Sequence, residues 1–253
     1  MKVLFVGDLY GRPGLEMFLE HVGVLKDTYK PNLIICNAEN VAHGRGITQK
    51  IYKELMSAGV HMLTMGNWVW GQKELFDFID EANIVRPFNF RKAPGRGFIT
   101  INFNGKKVLI INALGRTFMN PQVLCPFTGI DQILEENPAD FTLVDIHAEA
   151  TSEKVALGHY LDGRVSAVIG THTHIPTADE RALPRGTLYI TDVGMTGPRD
   201  GVIGVDKDIV IHRFLNGFSI PNEVAPGPRQ LNAVILDFAK KTIERIHIES
   251  ETV

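Results

Sequence analysis

The chain has 253 residues, 44% of them hydrophobic, and a formal net charge of −3 at pH 7. This length and composition allow a substantial core, and a nearly neutral charge gives no reason to expect binding to duplex DNA or to a membrane surface. The two cysteines, Cys36 and Cys125, are too few for a disulfide framework. No apolar run is long enough to cross a bilayer and the first run is too short for a signal peptide, so we expect a cytoplasmic protein.

Strand and helix patterns alternate over the first third of the chain. Short apolar runs typical of strands lie at 2–7, 33–37 and 61–66. Apolar residues at three- and four-residue intervals predict helices at 15–29, 47–59 and 72–82. Strands that alternate with helices predict a largely parallel sheet with helices packed on its faces. Cys36 lies within the second apolar run, so we expect it to be a buried free thiol.

The rest of the chain adds antiparallel strands to this pattern. Asn104-Gly105 is a strong hairpin-turn signal inside the segment 98–115. Further strands are predicted at 141–147, 165–174 and 187–194, and helices at 152–163 and 206–216. The runs 231–238 and 242–250 predict a closing antiparallel pair. No linker-like segment divides the chain, so we expect one α/β domain over 1–253.

Polar side chains follow five of these predicted strands, at the point where each strand ends. Ligands bind outside the carboxyl ends of strands in open α/β sheets, so these side chains are candidates for one site. Alone, Asp8 could be a turn residue, Glu39 and Asn40 a solvated loop, and His147 a satisfied buried histidine. The candidates are Asp8, Glu39, Asn40, Asn67, His147, His172 and His174.

His172 and His174 are the strongest pair among these candidates. Residues two apart on an extended chain point the same way, so we expect both imidazoles to face one spot, with Thr173 turned aside. Two imidazoles on one side of a strand end serve packing poorly and metal binding well. We therefore interpret the pair as metal ligands.

The seven candidates together offer more nitrogen and oxygen donors than one ion needs. Carboxylates, amides and imidazoles without a thiolate suit two borderline divalent or trivalent ions, such as iron, manganese or zinc, with one carboxylate shared. Two ions ~3.5–4 Å apart favour displacement at phosphorus, because they convert a water to hydroxide near neutral pH and stabilise the charge on the phosphoryl oxygens. A metallopeptidase is a weaker interpretation because the chain has no HExxH motif.

Several motifs carry a resemblance to one family. These motifs, which span most of the chain, are GDLYGRPG (7–14), NAENVAHGRGIT (37–48), HAEATSEK (147–154) and GTHTH (170–174). The chain resembles the calcineurin-like metallophosphoesterases, especially the bacterial YmdB-type branch. The resemblance implies an α/β fold, a metallophosphoesterase-type sandwich of two mixed β-sheets flanked by helices.

The same resemblance implies how the candidates divide between two ions. Asp8, Glu39, Asn40 and His174 would hold one ion, and Glu39, Asn67, His147 and His172 would hold the other, with Glu39 bridging. Tyr10 stands where the wider superfamily has the histidine of an Asp-x-His opening, and Asn40 would fill that vacancy. The activity implied is hydrolysis of 2′,3′- or 3′,5′-cyclic nucleotides or related phosphoesters by a metal-bound hydroxide.

Trp68 departs from the family pattern. It occupies the position of the histidine in a Gly-Asn-His motif, which is the expected proton donor to the leaving oxygen. An indole N–H donates a hydrogen bond but transfers no proton at physiological pH, and losing a general acid typically costs ~10²–10⁴-fold in rate. Three outcomes stay open. The first is slow turnover. The second is a substrate whose leaving group needs little protonation, or the use of another acid, and the third is binding without turnover.

The leading hypothesis is a di-metal phosphodiesterase with a nucleotide or phosphoester substrate. The rival is a catalytically impaired, metal-dependent regulator that binds nucleotides or RNA, and only Trp68 favours it. Nearby candidates for substrate contacts are His43, which is also the nearest alternative acid in sequence, and Arg116, which could offer a planar fork to a phosphate. A homo-oligomer is left open by the sequence.

Overall fold

Side chains on strand β1, Lys2–Val6, alternate between two apolar layers. Val3 and Phe5 face one side, and Leu4 and Val6 face the other. In a computed structural model that describes residues 1–218 and 220–250, this alternation recurs on the central strands of two sheets. Both faces of each sheet are covered by apolar groups, which explains why the central strands read as continuous apolar runs.

The first sheet combines parallel and antiparallel strands. Its order is β2-β12-β13-β1-β3-β4-β5, and β14 pairs with β13. The pairs β1–β3, β3–β4, β4–β5 and β2–β12 are parallel, whereas β13 is antiparallel to β1, β12 and β14. The strands other than β1 are β2 Asp8–Leu9, β3 Leu33–Asn37, β4 Met62–Thr64, β5 Ile84–Val85, β12 Met195–Pro198, β13 Arg229–Asp237 and β14 Thr242–Ser250.

The second sheet has the order β10-β11-β9-β8-β7-β6. Its central strands are parallel, and the hairpin β6–β7 and the pair β10–β11 are antiparallel. The strands are β6 Phe98–Phe103, β7 Lys106–Leu114, β8 Phe141–His147, β9 Ala167–Thr171, β10 Arg181–Ala182 and β11 Leu188–Ile190.

Helices cover the outer face of each sheet. Apolar residues of α1 and α2 pack on the first sheet through Leu15, Phe18 and Leu55. Those of α3 and α4 pack on the second sheet through Ile130 and Leu157. The helices are α1 Gly11–Tyr29, α2 Gln49–Ser57, α3 Pro126–Glu136, α4 Thr151–Leu161 and α5 Lys207–Asn216. Among the described residues, none of the helices combines the length and the hydrophobicity that a membrane span requires.

A third apolar layer joins the two sheets. Phe5 and Ile35 of the first sheet belong to one buried cluster with Ile110, Leu143 and Ile169 of the second sheet. This arrangement is the predicted sandwich of two mixed sheets flanked by helices, so the predicted fold class is confirmed.

The predicted elements agree with the structure except in a few segments. The hairpin at Asn104-Gly105 and the closing antiparallel pair are confirmed, and Cys36 is buried and free. The predicted helix 72–82 is wrong, because Lys73–Asp77 forms a short 3₁₀ helix and Phe78 leaves the helical region at φ −138°. Helix α1 begins four residues earlier than predicted, with Pro13 in its first turn.

Candidate metal centre

Loops at the carboxyl ends of strands from both sheets bring the predicted donors together. Asp8 begins β2, just beyond the end of β1, and Glu39 follows β3. Asn67 follows β4 on the same sheet. His147 ends β8 and His172 follows β9 of the other sheet. The sandwich therefore places the carboxyl ends of strands from both sheets beside one cleft, and the donors lie in that cleft.

The Nε2 atom of His147 is the meeting point of one group of donors. It lies 2.9 Å from Glu39 Oε1, 3.1 Å from Asn67 Oδ1 and 3.0 Å from His172 Nδ1. Ligand atoms of Glu39, His147 and His172 all lie within 4.8 Å of one another, a spacing that a single metal ion can bridge. All four side chains are contributed by different loops or strand ends, so the fold rather than local sequence creates this group.

A hydrogen-bond relay fixes the tautomer of His147. The Thr171 hydroxyl donates to Asp145 Oδ1 at 2.7 Å, so its oxygen accepts from His147 Nδ1 at 2.8 Å. With its one proton on Nδ1, a neutral His147 presents the lone pair of Nε2 toward the three other donors. Metal-binding histidines are commonly oriented by such outer partners.

Glu149 orients the ring of His172, as Thr171 orients that of His147. Its Oε2 lies 3.1 Å from His172 Nε2, on the side of the ring away from His147. When Nε2 donates to this carboxylate, Nδ1 presents a lone pair to the cleft. Glu149 is therefore the outer carboxylate of a carboxylate–histidine pair, a role that the sequence motif HAEATSEK did not reveal.

A second group of donors lies around His174. Its Nδ1 donates to the Ile203 carbonyl at 2.8 Å, which leaves a lone pair on Nε2. Nε2 lies 3.2 Å from Asn40 Oδ1, whose amide orientation is set because Nδ2 donates to the Gly44 carbonyl at 2.9 Å. Two lone pairs thus face each other, and only a cation or an added proton would make this contact favourable.

Two further observations test whether this cleft suits metal ions. Asp8 Oδ1 is buried and has no hydrogen-bond partner within the described part of the chain. At Gly66, an added Cβ would lie 2.3 Å from both Glu39 Oε2 and His147 Nε2. An unpartnered buried carboxylate oxygen and a space kept open by a glycine beside two donors both fit bound ions.

The charges of the cluster also favour a bound cation. Burial opposes the charged form of His147, but Glu39, Asp8 and Asp145 outweigh it and raise the pKa of the imidazole to about 9. Burial and the neighbouring His147 and His174 lower the pKa of His172 to about 2. Burial raises the pKa of Asp8, although His174 and His147 oppose this. In metal-free protein the carboxylates therefore hold a proton on His147.

The predicted extended geometry of His172 and His174 is wrong. Strand β9 ends at Thr171, and the two histidines have φ angles of 101° and 66°. Because the backbone turns there, His172 reaches His147 whereas His174 reaches Asn40. The two rings thus belong to two neighbouring groups of donors and do not face one spot.

A buried ion pair holds the turn between these histidines. Asp192 Oδ2 accepts from the Thr173 backbone N–H at 3.0 Å and from its hydroxyl at 2.8 Å. The same oxygen accepts from Lys154 Nζ at 2.6 Å. Neither Lys154 nor Asp192 was a candidate from the sequence, although both lie in distinctive motifs, HAEATSEK and TDVG.

A cavity of about 570 Å³ opens directly over the donors. Among its lining residues, Glu39, Asn40, His172 and His174 belong to the two groups. His43 and Trp68 line the same cavity. Arg116 is exposed and does not line this cavity as described; its backbone N–H donates to Glu153.

Trp68 is linked to the donors through its backbone. Its N–H donates to Glu39 Oε2 at 2.9 Å, and its side chain is 38% exposed. The guanidinium of Arg45 lies 4.3 Å from the centre of the indole ring. Trp70 has a different role, because it stacks on Phe76 with ring centres 5.0 Å apart and also contacts Phe90. Trp70 therefore packs the loop, whereas Trp68 faces the cavity.

Comparisons with known proteins agree with this geometry. Residues 4–250 match the family model described as YmdB-like protein. The chain is 49% identical to a 2′,3′-cyclic-nucleotide 2′-phosphodiesterase of Bacillus subtilis, over 98% of this chain and 96% of that protein.

Two crystal structures are also similar along almost the full chain. A hypothetical protein from Thermus thermophilus has a TM-score of 0.94 at 43% identity, covering 99% of this chain and 100% of that one. A structure titled as a novel phosphatase from Mycoplasma pneumoniae has a TM-score of 0.94 at 38% identity, covering 99% and 94%. The similarity thus extends over both sheets and every strand end that contributes a donor.

Proposed function

Because the chain belongs to the YmdB-like family of calcineurin-like metallophosphoesterases, we propose that it is a metal-dependent phosphodiesterase that hydrolyses cyclic nucleotides. The observation that supports this proposal is the convergence of potential ligand atoms of Glu39, Asn67 and His172 on His147 Nε2. The Bacillus subtilis relative supports 2′,3′-cyclic nucleotides as the first substrates to test, with 3′,5′-cyclic nucleotides second.

Two ions of the iron, manganese or zinc type suit the two groups of donors. Asp8, Asn40 and His174 would hold one ion, and Asn67, His147 and His172 the other, with Glu39 shared. Bound ions of this kind activate a water and stabilise charge on the phosphoryl oxygens. The chain's own contribution is to fix each ligand: Thr171 and Glu149 hold the histidine tautomers, and Trp68 N–H orients Glu39.

Proton donation to the leaving oxygen is the weak point of the site. Trp68 cannot supply a proton, but His43 lines the same cavity and makes no hydrogen bond or ion pair with the described residues. His43 as the alternative acid, and Arg116 as a substrate contact, stay predictions from the sequence. Three more predictions from the sequence also stay predictions: a cytoplasmic location, a homo-oligomer and a single domain over 1–253. The last three residues of that domain lie outside the described part of the chain.

Turnover by purified protein tests the proposed function. We expect the manganese-loaded protein to open 2′,3′-cyclic AMP, and we expect Glu39→Gln to reduce the rate by at least ~10²-fold because the shared ligand is lost. Glu180→Gln, at an exposed ion pair with Arg245, is the matched control and should retain the wild-type rate. No turnover of any cyclic nucleotide by the metal-loaded wild-type protein would refute the proposal.

The rival function is a metal-dependent regulator that binds nucleotide or RNA without turnover, and Trp68 is the observation that favours it. A bis-aryl phosphodiester separates the two functions, because its leaving group needs no protonation. We expect the metal-loaded protein to hydrolyse it. No detectable hydrolysis of this substrate, together with measurable nucleotide binding, would favour the regulator.

Replacing Trp68 tests whether the missing acid limits the rate. We expect Trp68→His to raise turnover of 2′,3′-cyclic AMP by up to ~10²-fold, with little change for the bis-aryl substrate. Trp68→Phe is the matched control, since it keeps an aromatic ring without an acid. An unchanged rate for Trp68→His would mean that proton donation does not limit this protein.

A further inference from the structure

Arg45 lies where the cavity over the donors meets a second depression. The second depression has a volume of about 390 Å³ and is lined by Arg45, Arg213, Ile220, Pro221 and Asn222. Arg45, Pro221 and Asn222 also line the cavity over the donors. The two spaces therefore adjoin at these three residues, and a ligand that occupied both would pass Arg45.

Trp68 holds the guanidinium of Arg45 at this junction. The guanidinium lies 4.3 Å from the centre of the indole ring, within the range of a cation–π contact. A stacked guanidinium keeps its N–H donors at its edge, where they can bind an anion. Because the Trp68 backbone N–H also donates to Glu39, the position of Arg45 is tied to that of the donors.

Arg213 provides a second positive charge in the depression. One of its Nη2 hydrogen bonds goes to Asn222 Oδ1 and another, at 3.5 Å, to the Ile220 carbonyl. Its Nε is buried and has no hydrogen-bond partner in the described part of the chain. The five lining residues carry two guanidinium charges and no carboxylate, in a protein whose overall charge is −3.

We infer that Arg45 and Arg213 form a second anion site, which binds a phosphate next to the one that is hydrolysed. This inference rests on the proposed function and specifies its substrate class. A cyclic mononucleotide has one phosphate, which the donor cluster takes, so both arginines would lack a counterion. An oligoribonucleotide that ends in a 2′,3′-cyclic phosphate places its next phosphodiester beside them, where charge-assisted hydrogen bonds can form.

A comparison of two substrates tests the inference. The manganese-loaded protein is given 2′,3′-cyclic AMP and the adenosine dinucleotide that ends in a 2′,3′-cyclic phosphate. Charge-assisted contacts to one more phosphate predict a kcat/KM about tenfold to hundredfold higher for the dinucleotide. We expect Arg213→Gln to remove most of this preference and Arg213→Lys to keep a large part of it.

Arg164→Gln is the matched control, because Arg164 forms an exposed ion pair with Asp131 and lines neither space. It should show the wild-type preference. Equal kcat/KM for the two substrates in the wild-type protein would overturn the second anion site while leaving the proposed function standing. A preference lost as completely in Arg213→Lys as in Arg213→Gln would also overturn it, because the loss would then reflect the lost contacts with Ile220 and Asn222 rather than the lost charge. No hydrolysis of either substrate would instead refute the proposed function.

Discussion

Lys154 donates a 2.6 Å hydrogen bond to Asp192, and both side chains are buried in the protein interior. Asp192 uses the same oxygen to accept from Thr173, and its other oxygen accepts from the Gly194 N–H at 2.9 Å. The backbone on either side of Thr173 has positive φ, which typically costs ~1–3 kcal/mol per residue when a side chain is present. The ion pair therefore holds a turn that would otherwise relax.

Replacing Lys154 with methionine should destabilise the protein and weaken metal binding. The change leaves the Asp192 charge buried without its partner, and breaking a buried pair in this way costs ~3–5 kcal/mol. The free energy of unfolding, measured by chemical denaturation, gives this loss. We also expect a lower manganese affinity, because the turn that positions the cluster histidines is released.

Lys106→Met is the matched control for that change. Lys106 forms an ion pair of similar length, 2.7 Å, with Asp140, but at the surface. Exposed pairs contribute little because water and salt screen them, so this variant should lose little stability and no metal affinity. Equal losses in Lys154→Met and Lys106→Met would contradict the role given to the buried pair.

Gly66→Ala should expel metal. The added Cβ would lie 2.3 Å from Glu39 Oε2 and from His147 Nε2, in the space that an ion would use. We expect the manganese content to fall to less than about half, with a loss of ~1–3 kcal/mol in unfolding free energy from overpacking. Element-resolved metal analysis and chemical denaturation give the two quantities.

Gly23→Ala is the matched control for Gly66→Ala, and we expect it to raise rather than lower the free energy of unfolding. Gly23 lies within helix α1, and an added Cβ there meets no atom within 4 Å. Alanine should raise the stability by ~0.5–1 kcal/mol and leave the metal content unchanged. A Gly66→Ala protein that retains all its manganese would show that the space beside Gly66 is not part of the site.

Thr171→Val removes the relay that fixes the His147 tautomer. The valine keeps the shape of the side chain but neither accepts from Nδ1 nor donates to Asp145. Loss of such an outer partner typically costs 10–100-fold in metal affinity, and we expect ~10–100-fold here by calorimetric titration with manganese. Thr142→Val, at a buried site on β8 outside the relay, should bind normally. A normal manganese affinity in Thr171→Val would show that the relay does not contribute to metal binding.

Metal affinity should rise with pH across the neutral range. The pKa of His147 is raised from 6.5 to about 9, so its imidazole is protonated at pH 7 in metal-free protein and must lose this proton to bind an ion. One displaced proton predicts a gain of about tenfold in affinity per pH unit, until the curve flattens near that pKa. Because the pKa of His172 is about 2, it contributes no further proton. An affinity that does not change between about pH 6 and 8 would contradict this proton competition.

The sequence predicted most of the fold because its signals are local. Alternation of apolar runs with helical patterns identified the strands around Asp8, Asn67 and His147, and Asn104-Gly105 fixed one hairpin. The segment 72–82 has a helix-like pattern but forms only a short 3₁₀ helix, with Phe76 stacked on Trp70 and Phe78 beside Tyr52. Helix α3 was not predicted, although Pro126 begins it and its buried residues Ile130 and Ile133 are three positions apart, as on one face of a helix.

The sequence could not predict how the donors divide. Strand ends located Glu39 and His174, but the turn at His172 depends on Asp192, which follows β11 and pairs with Lys154 of helix α4. The same limit applies to Arg45 and Arg213, which line one depression only because the fold brings the loop after β3 close to helix α5. Contacts between distant segments have no signature in a single sequence.

The number of metal ions bound per chain measures directly whether Glu39 joins two metal sites. After equilibration with manganese and removal of the free ion, element-resolved analysis should find about two ions per wild-type chain. We expect Glu39→Gln, which loses the shared carboxylate, to retain at most about one, and Glu180→Gln to equal the wild type. A wild-type chain that retains no metal, or a Glu39→Gln chain that retains as much as the wild type, would contradict a two-metal centre built around Glu39.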